Sequence, residues 1–154
     1  MSQIIDKLYT QLDAASSTLL AAARIYKYDF PTTTDADSAV WEVRLIPLPC
    51  GEGSEYMGST GWRAPFNIHI EARRVASPNS AAVLGAACAM AEEILQVLVD
   101  NRELSISGED EAASMSGEVA EPLKWDYGSM AEGETSYAVV NVTASWEGPQ
   151  IAPS

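Results

Sequence analysis

FNIHIEARRVASPNSAAVLGAACAMAEEILQVL, running from Phe66 to Leu98, decides the fold. Its first part alternates. Phe66, Ile68 and Ile70 face one way and Asn67, His69 and Glu71 the other, the period of a strand resting on a core. Ser77 then offers an N-cap oxygen, and Pro78 suits a first helical turn because its missing N–H would have no partner there, so SPNS predicts a helix start. Val83, Ala87, Met90 or Ala91, Ile94 and Leu98 form one apolar stripe along that helix. Leu84, Cys88 and Leu95 widen the stripe beyond the needs of a single contact. Gly85, Ala86 and Ala89 leave room for another backbone. A strand feeding directly into such a helix predicts helices packed on one sheet.

The flanking sequence extends the pattern in both directions. Ser2 can cap a first helix whose Ile5, Leu8, Leu12, Ala15 and Leu19 recur at spacings of three and four, leaving Asp6, Lys7, Gln11 and Asp13 on the wet side. IYKYDF is a candidate strand, broken by PTTTDAD. VWEVRLIPL alternates, with Trp41, Val43 and Leu45 opposite Glu42 and Arg44, until Pro47 and Pro49 are expected to end the pairing. The glycine-rich PCGEGSEYMGSTGWRAP has no period and is long for a hairpin connection, which leaves it either mobile or engaged with a partner. LSIS reads as a short strand, GEDEAASMSGEVAEP as an acidic loop, and SYAVVNVTASW as a closing strand that buries Ala138, Val140, Val142, Ala144 and Trp146. The fold class expected is α+β: a mainly antiparallel or mixed sheet of about four strands, two principal helices and long loops. One domain covers 1–147, and 148–154 forms a C-terminal tail.

A chain of 154 residues with 47% hydrophobic and 20% charged residues can build one core. The net charge is −13. Residues 1–91 carry nine acids and seven bases, whereas residues 92–154 carry thirteen acids and two bases, so most of the negative field belongs to the C-terminal part. That balance argues against gripping phosphates. Two readings of it stand: solubility, or a surface that repels a polyanion. The N-terminus lacks a basic segment followed by an apolar block, and the apolar run from Ala81 to Ala91 is about half of a bilayer span, so a soluble protein without a membrane segment is expected.

The chemistry-bearing residue types are sparse. One histidine and two cysteines, Cys50 and Cys88, cannot complete a four-ligand zinc site alone, and both thiols are expected reduced. His69 is the sole histidine available as a base, and no G-x-S-x-G occurs. Gly53 to Gly58 has the spacing of a phosphate loop but no lysine, and Glu52 and Glu55 would repel the anion. The expectation is therefore no enzyme, no metal and no cofactor. Two competitors remain: a small acidic enzyme using a carboxylate pair between sheet and helices, and a monomeric binding module or chaperone that uses the glycine-rich loop.

The element order, with FNIHIEARR passing through SPNSAAVLG into AACAMAEEILQVL and closing on YAVVNVTASW, resembles the tail terminator proteins of long-tailed bacteriophages, and the neighbouring tail-completion and neck proteins look similar. The likeness spans Ile4 to Trp146 as a pattern of elements, not as a signature of fixed residues. It implies a structural virion protein, assembled in the host cytoplasm, that forms a hexameric ring capping the tail tube and joining it to the head connector. The alternative it implies is a head–tail neck or tail-completion adaptor. The implied partners are further copies of the chain, the tail tube protein and a neck or connector protein, with DNA passing through unbound. Ring closure needs two different patches that meet through a rotation. Tyr56, Met57 and Trp62 on the glycine-rich arm are the candidates for one patch, against packing of Trp62 in the core. Glu109, Asp110 and Glu111 are the candidates for an acidic lumen, against a plain solvated loop. The long 108–134 segment with Trp125 and Tyr127 departs from the pattern, either as an elaboration that docks on a partner or as the mark of a different neck protein.

Overall fold

The computed structural model describes residues 2–30, 40–48, 56–58, 61–63, 65–75, 81–105, 112–114, 123–133 and 135–147. Helix α1 (Ser2–Asp13) is followed by the single turn α2 (Thr18–Ala22) and strand β1 (Arg24–Lys27). Strands β2 (Glu42–Leu48), β3 (Tyr56–Gly58), β4 (Gly61–Arg63) and β5 (Pro65–Val75) lead to the long helix α3 (Ala81–Asp100). After it come β6 (Glu103–Ser105), β7 (Ala112–Ser114), β8 (Leu123–Glu132) and β9 (Thr135–Glu147).

The main sheet runs β1-β2-β5-β9, with both β8 and the pair β7-β6 on the far side of β9. β1 lies parallel to β2 and every other ladder is antiparallel, so the sheet is mixed and the fold is α+β. It has seven strands against the four or so expected from the sequence, and β3-β4 forms a separate two-stranded sheet.

Period-two burial explains the central ladder. Val43, Ala72 and Val140 stand in register, as do Leu45, Ile70 and Val142, and all six are fully buried on the helix-bearing face. Ala144 and Trp146 continue that face, as their alternation predicts. α1 contributes Ile5, Leu8 and Leu12, and α3 contributes Ala87, Met90, Ala91, Ile94 and Leu98. Each such leucine or isoleucine withdrawn from water is worth roughly 1.5–3 kcal/mol, so this one face holds the fold together. α1 lies over β1 and β2, and α3 lies over β9 and β8.

Five expectations need correction. The first helix does not continue to Leu19: it ends at Asp13, and α2 restarts after Ser16 and Ser17. Pro47 does not end its strand, because Pro47 and Leu48 still pair with Ile68 and Asn67. β1 stops opposite Leu45, so beyond that point no described strand flanks β2 on that side to need the missing N–H. Leu84 does not widen the buried stripe, since it is exposed, and among the described residues a Cβ built on Gly85 would meet nothing within 4 Å, so none of their backbone approaches there. The acidic loop GEDEAASMSGEVAEP contains strand β7, which joins the sheet by pairing Ser114 with Glu147. The SPNS helix start, Pro49, Cys50 and the 148–154 tail lie outside the described residues.

Candidate interaction surfaces

Of the residues singled out as ring contacts, Tyr56 and Met57 lie on β3 and Trp62 on β4, where Met57 stands opposite Trp62 and Tyr56 opposite Arg63. The glycine-rich segment thus holds a β-ribbon rather than a featureless loop. Gly58 pairs with Gly61 across a two-residue connection, the shortest loop that antiparallel strands accept. The ribbon falls between two strands that neighbour each other, β2 and β5, yet shares no ladder with them. Glu109, Asp110 and Glu111 lie outside the described residues.

Trp125 and Tyr127, in the 108–134 segment that departs from the pattern, sit on β8, ten residues that pair with β9 from Leu123↔Ala144 to Glu132↔Thr135. The hairpin turns at Gly133, whose φ of 61° suits a two-residue loop of the primed type. Register with Val142 and Val140 puts both rings on the helix-bearing side, but they stand at the margin and remain 48% and 41% exposed. Their rings stack with centroids 5.9 Å apart and planes 14° apart. An exposed aromatic pair on a long edge strand is the form that a docking surface takes.

The face without helices is polar and tied together across the strands. Arg44 donates to Glu71 through Nε at 3.0 Å and Nη2 at 2.6 Å, and through Nη1 to Asp29 at 2.7 Å. Its guanidinium lies 4.6 Å from the centre of the Phe30 ring, and that of Arg73 lies 3.9 Å from it. Phe30 is buried against two cations. This clamp fixes the chain as it leaves β1, where Tyr28 holds the left-handed φ of 75° and donates its N–H to Leu45 at 2.8 Å. His69, expected to be a strand surface residue, has Nδ1 3.4 Å from Thr143 Oγ1 on that half-buried polar face.

A cleft of about 550 Å³ opens between the α1–α2 connection and α3, lined by Gln11, Ser17, Glu92, Glu93, Gln96 and Asp100 among others. Glu93 is committed to structure: Oε1 accepts from the N–H groups of Leu19 at 2.9 Å and Leu20 at 3.1 Å, and Oε2 accepts from Leu19 at 3.2 Å. Ser17, the local N-cap residue of α2, makes no side-chain cap bond, so a carboxylate from α3 performs that task. Among the described residues, no three His, Cys, Asp or Glu side chains are grouped to hold a metal ion. Cys88 is a free thiol, with Sγ 3.9 Å from Glu92 Oε1. The Lys27 ammonium, 3.0 Å from Asp6 Oδ1, titrates above its usual range, chiefly through that hydrogen bond and then through the charge of Asp6.

Sequence reasoning missed the Phe30 clamp, the Glu93 cap and strand β8. Only β8 left a local signal, the alternation Leu123, Trp125, Tyr127 ahead of a glycine turn. No helix among the described residues is long and apolar enough to cross a membrane.

No family model matches the chain, and no curated protein matches it in sequence. Among solved structures, one without a descriptive name aligns over 99% of this chain and 94% of its own, with a TM-score of 0.47 and 11% identity, a likeness too slight to carry an argument.

Proposed function

We propose that this chain is a structural assembly protein of a phage virion: a tail terminator whose copies close into a hexameric ring, cap the tail tube and join it to the head connector. The observation that carries the reading is the β3-β4 ribbon, an arm that leaves the main sheet between neighbouring strands and holds Met57 opposite Trp62. A ring needs one patch that reaches a different patch on the next copy. The ribbon supplies the first and the exposed margins of the sheet are candidates for the second. The excess of acids in residues 92–154 would keep passing DNA from adhering. The function needs no catalysis and no cofactor.

The alternative is a neck or tail-completion adaptor, favoured by the β8 addition with its exposed Trp125 and Tyr127. Binding to the portal side rather than to tube ends would single it out. For the ring itself, Trp62→Asp and Met57→Asp should reduce the assembled mass while leaving the thermal midpoint of the subunit unchanged. Assembly that is indifferent to both substitutions would remove the arm from the contact.

A further inference from the structure

Among the described residues, β8 is where the main sheet leaves a row of backbone groups without a strand partner. The pair Glu132↔Thr135 closes a two-residue loop, which makes it a hydrogen-bonded pair, and the alternation then directs the N–H and C=O of Leu123, Trp125, Tyr127, Ser129 and Ala131 away from β9. Among the described residues, no strand lies on that side. An edge this long, carrying rings 48% and 41% exposed, is a template for another strand unless something covers it.

The sequence of the edge says what fits it. Leu123-Lys124-Trp125-Asp126-Tyr127 is self-complementary when reversed: antiparallel to a copy of itself about Trp125, it sets Lys124 against Asp126 twice and Leu123 against Tyr127 twice. We propose that two copies of this chain pair through their β8 edges about a two-fold axis at Trp125, so that the two main sheets become one. The residues that aim their backbone outward, Leu123, Trp125 and Tyr127, then meet residues that do the same, as an antiparallel ladder requires. The apolar members share the helix-bearing side with Val140 and Val142, and the ionic members share the other side. Asp126 is already steadied by a 3.1 Å hydrogen bond from Asn141. Moving the axis to Tyr127 would set Lys124 against Met130 and Asp126 against Gly128, so both ion pairs would be lost. Leu84 and Val99 of α3, 49% and 46% exposed, lie on the flank of the helix turned away from Glu93 and the α2 turn that it caps. This contact is two-fold, whereas ring closure requires a head-to-tail contact, so it stands whether or not the tail reading does.

Sedimentation equilibrium and cysteine cross-linking test it on the full chain. Wild type should associate through a two-chain unit, twice 16.5 kDa. K124D or D126K should each weaken that step by about tenfold or more, because two attractive cross-strand pairs become two repulsive ones. The double variant K124D/D126K should recover wild-type affinity to within about threefold. Trp125→Cys places two sulfurs at a hydrogen-bonded pair about 5.5 Å apart between Cα atoms, within disulfide reach, and should give a reductant-sensitive dimer beyond any wild-type background. Asp126→Cys, off the axis, should not. A wild type that shows no two-chain step, single reversals without effect, or equal cross-linking at 125 and 126 would each overturn the proposal.

Discussion

Replacing Glu93 tests how the helical layer is held. Its carboxylate closes the two N–H groups at the start of α2 from the other side of a cleft, a charge-assisted arrangement with donor distances of 2.9 and 3.1 Å to Oε1. Losing an ordinary N-cap costs about 0.5–2 kcal/mol, and a hydrogen bond to a charged group contributes about 1.5–3 kcal/mol. The cleft admits water, which lowers the penalty for the orphaned N–H groups, so Glu93→Ala should cost about 2–3 kcal/mol. Glu93→Gln keeps an acceptor oxygen of the same shape but not the charge, and should cost about 1 kcal/mol. In a chain of this size those values correspond to drops in thermal midpoint of about 5–10 °C and about 2–4 °C. Urea unfolding followed by circular dichroism measures both. An alanine variant within about 0.5 kcal/mol of wild type would refute the reasoning, because distant surface changes stay within that range. Equal losses for the two variants would show that the charge, rather than the acceptor geometry, holds α2.

The remaining predictions concern the edge of the sheet around β1. Phe30→Ala should cost about 3 kcal/mol in urea unfolding through loss of a buried ring, whereas Phe30→Leu, which fills most of the space but offers no π-face to Arg44 and Arg73, should cost about 1 kcal/mol. Tyr28→Gly should leave stability unchanged or raise it by up to about 1 kcal/mol, because glycine adopts a positive φ without strain and the side chain is exposed; Tyr28→Val should lose about 1–2 kcal/mol. The Lys27 ammonium is held charged by Asp6 in the folded chain, so its pKa is raised above 10.5 and the stabilisation it brings is fully present below that value. It is lost as pH rises through the folded pKa. The stability difference between wild type and Asp6→Asn should therefore stay constant from neutral to mildly alkaline pH and shrink above it, as followed by urea titrations across that range.

Much of the architecture was legible because the core is built on two simple periods. The buried faces of β2, β5 and β9 follow from alternation alone, and the α3 stripe from spacings of three and four. What escaped was non-local. Nothing near Ser16 and Ser17 announces that the helix breaks there, since the group that stabilises the break, Glu93, is over seventy residues away. Pro47 reads as a terminator until its strand proves, among the described residues, to have a neighbour on one side only at that point. β8 is hard to read locally because Gly128 and Ser129 interrupt its alternation and its outer margin is wet, so fewer apolar residues are needed to hold it. The glycine-rich segment hid its ribbon for a related reason, as strands of three residues are too short to show a period. Of the site residues proposed from sequence, Tyr56, Met57 and Trp62 fall together on that ribbon, while the Glu109–Glu111 cluster lies outside the described residues.

Electron microscopy of the purified chain, alone and mixed with tail tubes, should show six-fold rings and density capping one end of each tube. Subunits that stay separate at micromolar concentration and leave tube ends bare would contradict the tail terminator proposal.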